Sequence, residues 1–261
     1  MKIATWNVNS LKVRLPQVLD WLAANRVDVL CLQELKQQDC DFPQALLREA
    51  GYHSVYSGQK TYNGVAILSR VAASEVLIGI PDFADEQKRV IAASIDGLRV
   101  VCVYVPNGQS LDSDKYKYKL KWLAALHDWL EQELLRYPKL VLLGDYNIAP
   151  EDRDVHDPAA WQDNVLVSLA ERAQFQRLLQ LGLHDSFRLH PQAEQSYTWW
   201  DYRMMALRRN MGLRIDHILL STALVAQCKG CEIDKAPRKL ERPSDHAPVI
   251  VELGYEPLYL D

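Results

Sequence analysis

Arg214-Ile215-Asp216-His217 and Pro243-Ser244-Asp245-His246-Ala247-Pro248 each lie at the edge of an apolar, strand-like run in this 261-residue chain. An acidic residue at a strand end stands where a rigid sheet meets a loop, a usual place for binding and catalytic side chains. Upstream, Thr5-Trp6-Asn7-Val8-Asn9, Leu32-Gln33-Glu34 and Gly144-Asp145-Tyr146-Asn147 repeat the pattern. Five strand ends thus carry oxygen-bearing side chains, with one imidazole among them. Hard oxygen donors beside a histidine are the groups that metal-assisted phosphodiester hydrolysis uses.

Composition bounds the answer without choosing it. A hydrophobic content of 48% and a charged content of 25% describe a soluble chain with a sizeable core. No apolar run reaches the roughly 18 to 20 residues of a membrane helix, and Met1-Lys2-Ile3-Ala4 starts directly as a strand, with no signal-peptide core. Five irregularly spaced cysteines favour reduced thiols and a cytoplasmic setting, and Cys228-x-x-Cys231 lacks the second pair of a zinc site. The formal charge of -4 is weak evidence against nucleic acid, because metal-binding carboxylates lower the total and a bound cation reverses the local sign.

No linker, low-complexity tract or repeat interrupts the chain, so one domain over residues 1–261 is expected. Ile3–Val8 and Val27–Leu32 read as strands around a helix over Ser10–Asn25, with Pro16 assigned to its first turn. Val65–Ser69 is a further strand, and Val90–Ile95 pairs with Arg99–Val105 through Asp96-Gly97, a hairpin signal. A long helix over Ser113–Arg136 shows Leu120, Leu123, Ala124, His127, Leu130 and Leu134 at helical spacing. Leu140–Leu143 then delivers Asp145 and Asn147. A helix over Ser168–Leu181 ends at Gly182, and Ser196–Trp200, Ile215–Ser221 and Pro248–Leu253 are the last strands. Strand pairs with helices between them in both halves predict two sheets face to face with helices outside.

The blocks Trp6-Asn7-Val8-Asn9, Leu32-Gln33-Glu34, Tyr104-Val105-Pro106-Asn107-Gly108, Gly144-Asp145-Tyr146-Asn147-Ile148-Ala149-Pro150, Gly212-Leu213-Arg214-Ile215-Asp216 and Ser244-Asp245-His246-Ala247-Pro248 resemble the exonuclease III family of apurinic/apyrimidinic (AP) endonucleases and 3′-repair nucleases. They follow the family's order across residues 3–253. The resemblance implies a four-layered α/β sandwich, two packed mixed β-sheets flanked by helices, as in the endonuclease/exonuclease/phosphatase superfamily. It also implies Mg²⁺-dependent cleavage of duplex DNA at an abasic site, a nick or a blocked 3′ end.

Carried onto this chain, the resemblance makes Glu34 the principal metal ligand, with Asn7 and Asp245 nearby. Mg²⁺ keeps several waters, so one or two carboxylates suffice, and such oxygen sites accept Mn²⁺ as well. Asp145 is expected to position or deprotonate the attacking water. Asn147, two residues on, is expected to point the same way along an extended chain and to donate to the phosphate. His246 is the expected phosphate ligand, oriented by Asp216; which of Asp145 and His246 is the general base stays open. Tyr104 and Asn107 are expected near the phosphate. Trp199, Leu213 and Ile215 fall where the family has the apolar pocket for the extruded sugar, and Arg203 where a side chain wedges into the duplex. The alternating run Lys115-Tyr116-Lys117-Tyr118-Lys119 suits either DNA phosphates or a solvated helix face, whereas Arg238, Lys239 and Arg242 are nearer the site in sequence.

The segment Glu151–Trp161 after Asn147 is bulky and acidic, and His156 is expected to narrow the approach in favour of 3′ ends. Two rival functions compete with this reading: a phosphodiesterase or phosphatase of the same fold on a non-DNA substrate, and a catalytically retired DNA-binding protein. A monomer without membrane attachment is expected, since cutting a single bond needs no second subunit.

Overall fold

Two parallel strand pairs form the centre of the structure, a computed structural model that describes residues 1–254. In the first, Lys2–Asn7 runs beside Val29–Gln33; in the second, Leu98–Tyr104 runs beside Leu140–Asp145. Parallel neighbours need a crossover, and helices Leu11–Asn25 and Asp114–Arg136 supply one for each pair. Antiparallel strands then extend both pairs. The first sheet reads, in spatial order, Cys228–Ile233, Val249–Leu253, Lys2–Asn7, Val29–Gln33, Val65–Ser69 and His53–Ser57. The second reads Ser74–Ile78, Val90–Ile95, Leu98–Tyr104, Leu140–Asp145, Asp216–Ser221 and Leu183–Asp185.

The inner faces of the two sheets share one apolar core containing Ile3, Cys31, Ile67, Ile91, Cys102, Leu143, Ile218 and Val251. On the outer face of the first sheet, Trp21 and Leu22 of the first helix pack with Trp6, Leu30 and Leu68. On the second, Trp122, Leu126 and Phe175 from helices Asp114–Arg136 and Leu169–Gln180 pack against Val101 and Leu142. Helix, sheet, sheet and helix make the four expected layers. No helix among the described residues is long and apolar enough to cross a membrane.

Local chemistry accounts for much of this. The hairpin joining Val90–Ile95 to Leu98–Tyr104 turns on Asp96 and Gly97, both at positive φ (50° and 80°), as a two-residue turn requires. Ser168 and Glu171 form a reciprocal cap at the start of Leu169–Gln180.

Several expectations change in detail. The first helix begins at Leu11, so Pro16 is its sixth residue and removes one internal hydrogen bond. The buried stripe of the long helix is Tyr116, Lys119, Trp122, Leu123, Leu126, Trp129, Leu130 and Glu133, turned from the stripe read off its leucines. Two charged residues, Lys119 and Glu133, occupy buried positions that hydrophobic periodicity cannot register. Ser196–Trp200 contracts to Trp199–Trp200, which pairs with Gly212–Leu213. The strands His53–Ser57 and Ser74–Ile78 had no sequence signal, because these edge strands leave most side chains half-buried or exposed.

Candidate active site

Register brings the motifs together. Asp145 is the partner of Tyr104 on one side and of Asp216 on the other, so three polar side chains line one end of the second sheet. Asn7 is opposite Gln33 at the matching end of the first sheet, which brings Glu34 alongside. A bridge between Trp199 and His246 adds the last loop. Gly144 explains why the motif before Asp145 carries a glycine: its φ is 152°, and a Cβ there would fall 1.8 Å from the Val103 carbonyl oxygen.

The side chains interlock tightly. The Asn7 amide nitrogen donates to Glu34 Oε1 at 2.8 Å and to Asp145 Oδ2 at 2.9 Å. His246 Nδ1 lies 2.9 Å from Asp216 Oδ2, and its Nε2 lies 3.8 Å from Asp145 Oδ2. One ligand atom from each of Glu34, Asp145 and His246 lies within 4.8 Å of the others. Asp145 and His246 are 1% and 4% exposed, and that burial governs their charge. Burial raises the Asp145 carboxyl to about 7, against the pull of His246. Burial alone would depress His246, but the Asp216 and Asp145 carboxylates outweigh it and hold the imidazole up at about 10. The Tyr104 phenol is raised well above 10 by burial and by the facing Glu34 and Asp145. Asn9, Glu34, Lys36 and Asn147 all adopt positive φ. Backbone strain of this kind collects at functional sites.

The donor set suits a hard divalent cation, since the Glu34 and Asp145 carboxylates meet in a part-buried cluster. The expected ligands do not all converge on it. Asn7 turns its nitrogen to the carboxylates because the Asn9 backbone N–H takes its oxygen at 2.9 Å. Asp245 binds Asn9 Nδ2 at 3.0 Å and Trp199 Nε1 at 2.9 Å, and lies outside the close group of Glu34, Asp145 and His246.

Asn147 is not extended: its φ of 49° folds the chain back. Its backbone N–H donates to Asp145 Oδ1 at 2.9 Å and its amide to the Val105 carbonyl at 2.9 Å. Asn107, exposed, donates to Asn147 Oδ1 at 3.2 Å. Leu213 and Ile215 are buried in a small core with Val155 and Leu166, against which the partly exposed Trp161, Val165 and Trp199 pack. Arg203 stands apart from the cluster, largely exposed and paired with Asp201 at 3.1 Å. His156 Nδ1 lies 3.2 Å from the Gly212 carbonyl, and its ring meets Trp161 edge-on, as Trp161 meets Trp199.

A family profile described as the endonuclease/exonuclease/phosphatase family matches residues 4–246. The chain belongs to that family. Exodeoxyribonuclease III of Haemophilus influenzae is 37% identical, covering 97% of this chain and 99% of its own. Among solved structures, the 3′ phosphatase NExo from Neisseria bound to product DNA hairpin is 54% identical with a TM-score of 0.96, covering 98% of this chain and all of that one. An AP endonuclease from Archaeoglobus fulgidus is 40% identical with a TM-score of 0.94 over the same shares. These likenesses place the chain in the exonuclease III branch of the family.

Some residues of this endonuclease/exonuclease/phosphatase site escaped the sequence reading. Lys36 pairs with Glu34 Oε2 at 2.9 Å, and Arg89 stacks on the Tyr104 ring at 4.7 Å. Both line a cleft of about 700 Å³ with Glu34, Tyr104, Asn107 and Lys115. Lys36 lies two residues after Glu34 in the same block, a signal that was available; Arg89 precedes an ordinary strand and gave none. Arg238, near the site in sequence, is buried and donates to the Ser244 and Trp200 carbonyls.

Proposed function

We propose that this DNA repair nuclease hydrolyses phosphodiester bonds with a divalent cation, Mg²⁺ or Mn²⁺, and acts mainly at nicks and blocked 3′ ends of duplex DNA. The reading rests on one observation: Glu34, Asp145 and His246 converge within 4.8 Å, with Asp216 on the far side of the imidazole. Glu34 would anchor the cation with Asp145 across from it, and Asn7 and Asp245 would order the surrounding groups. The cation supplies charge neutralisation at the phosphate and leaving oxygen.

In this proposal His246, held protonated by Asp216, donates a hydrogen bond to a non-bridging phosphate oxygen and stabilises its growing charge. A protonated imidazole cannot take a proton. Asp145, with its carboxyl near 7, therefore receives the proton of the attacking water. Asn147 and Asn107 hold each other in position to meet the phosphate, and Tyr104 presents its hydroxyl beside Glu34.

Preference for 3′ ends is supported by the His156–Trp161–Trp199 edge contacts, which lead outward from Trp199 where it bridges His246. It is also supported by the Neisseria relative, described both as a 3′ phosphatase and as a 3′-5′ exonuclease at 54% identity. In this reading Trp199, over Leu213 and Ile215, abuts the terminal sugar, and Arg203 reaches duplex beyond the site. One domain and one copy suffice, since the two sheets share a core and every residue of the cluster comes from this chain. The five cysteines are free thiols, which supports a cytoplasmic setting.

The test is cleavage of two labelled duplexes with Mg²⁺ or with EDTA, one holding an internal abasic analogue and one a nick with a blocked 3′ end. The proposal expects Mg²⁺-dependent action mainly at the nick. Dominant internal cutting would make the protein an AP endonuclease, and no cleavage of either would overturn the proposal.

A further inference from the structure

Of the two charged residues that the long helix buries, Lys119 is enclosed completely. The Lys119 side chain is 0% exposed, and each of its three N–H bonds has an acceptor. Nζ donates to the Asn147 carbonyl at 2.7 Å, to the Asn107 carbonyl at 3.1 Å and to Glu171 Oε1 at 2.5 Å. Glu171 is itself fully engaged: Oε1 also accepts from the Leu166 N–H at 3.0 Å, and Oε2 accepts from the N–H and hydroxyl of Ser168. The Lys119 stem lies against Gly108, where a Cβ would come within 3.2 Å of its Cδ.

We infer that Lys119 is a positioning residue for the phosphate-facing asparagines, fixing Asn147 and Asn107 through their backbone carbonyls. The inference rests on the nuclease reading given above. Asn147 needs such a hold. Its φ of 49° lies in the left-handed region, which is uncommon even for asparagine, and it follows the strand carrying Asp145, beyond the end of the sheet pairing. Asn107 follows the neighbouring strand, whose ladder ends with the Val105 N–H on the Asp145 carbonyl, and the Asn107 and Asn147 carbonyls lie beyond that ladder. One ammonium bonded to both carbonyls does couple them, and the Asn107–Asn147 side-chain contact at 3.2 Å reports the result. Glu171 then anchors that ammonium to the start of helix Leu169–Gln180, and the Leu166 carbonyl, in the loop leading into that helix, accepts from the Ala149 N–H. The loop that leaves Asn147 is thereby closed on the same centre.

An ion pair built only for stability would be replaceable by apolar groups of similar volume. That distinction gives the test. Lys119→Met combined with Glu171→Gln removes both charges together and avoids stranding either. Single-turnover cleavage of the nicked, 3′-blocked duplex is measured with enzyme in excess, in the native background and in an Asn147→Ala background. The expected result is a folded protein whose cleavage rate constant falls at least about tenfold with half-saturating DNA within about threefold, and a loss under about twofold once Asn147 is already Ala.

Equal losses in both backgrounds, or an unchanged rate constant, would overturn the inference and leave Lys119 a structural ion pair. If the Met variant fails to fold, Lys119→Gln with Glu171→Gln keeps one N–H donor and is judged by the same two-background comparison. Failure of the wild-type protein to cut DNA at all would count against the nuclease reading, before either variant is considered.

Discussion

His246 Nδ1 sits 2.9 Å from Asp216 Oδ2, with both residues buried and the opposite ring nitrogen turned toward Asp145 at 3.8 Å. The carboxylate fixes the ring's orientation and keeps it charged, while Asp145 lies on the side where the reaction would occur. Asp216→Asn preserves the shape and removes the charge. The expected effect is a fall in kcat of about 10²- to 10⁴-fold with little change in KM. The same pair sets a pH dependence in metal-free protein. Because the folded value of His246 is raised from 6.5 to about 10, its stabilisation is complete below pH 6.5 and is lost as the pH rises through about 10. Thermal melts from pH 6 to 10 check this, and the decline should shrink in Asp216→Asn.

Glu34 is the carboxylate with an accessible edge, held between Asn7 and Lys36. A cation bound there stabilises the folded protein by mass action, about 1.4 kcal/mol at ten times its Kd. Adding Mg²⁺ should therefore raise the Tm of the wild type by about 2–5 °C. Glu34→Gln should abolish that rise and increase the Mg²⁺ needed for half-maximal cleavage at least about tenfold. A Tm response that survives the substitution would move the cation elsewhere.

His156 presents its ring to Trp161 within the wall that reaches Trp199. His156→Gly opens that side of the cluster. Internal abasic cleavage should rise relative to 3′-end processing by about tenfold, equivalent to about 1.4 kcal/mol of lost exclusion. Rates on the two duplexes measured side by side decide it, and an unchanged ratio removes His156 from the specificity argument.

Arg214 binds Asp154 at 2.7 Å, Asp185 at 2.8 Å and His217 Nδ1 at 3.0 Å, all beneath the loop that carries His156. Arg214→Met takes the paired cation from Asp185 and leaves Asp154 to Arg188 alone, and should destabilise the fold by about 3–5 kcal/mol, seen as a lower urea midpoint. His217 adds an acid limit. Burial, with Arg214 beside it, depresses its value from 6.5 to about 4, so the folded protein keeps it neutral. Unfolded chains bind that proton first, so stability falls as the pH drops from 6.5 to about 4, by about 3 kcal/mol. Urea titrations across that interval measure the loss.

Glu34, Asp145, Asp216 and His246 were legible because each ends or begins an apolar run, and strand periodicity is carried by consecutive residues. The same local signals gave the Asp96-Gly97 hairpin and the pairing of strands with helices. Lys119, Arg89 and Arg238 were not legible in their roles. A buried lysine reads as a solvated one until its three acceptors are known, and those acceptors come from Asn107, Asn147 and Glu171, far apart in the chain. Asn147 looked extended because nothing beside it announces a positive φ.

By itself the sequence determined which chemistry-bearing residues lie at strand ends and which layers the chain builds, since both follow from local alternation of polar and apolar side chains. Only the tertiary structure decided which of those residues face one another. Register pairs Asp145 with Asp216, while Asp245 is taken up by Asn9 and Trp199. Burial then sets the charge of each group, through a desolvation that exists only once the two sheets have closed.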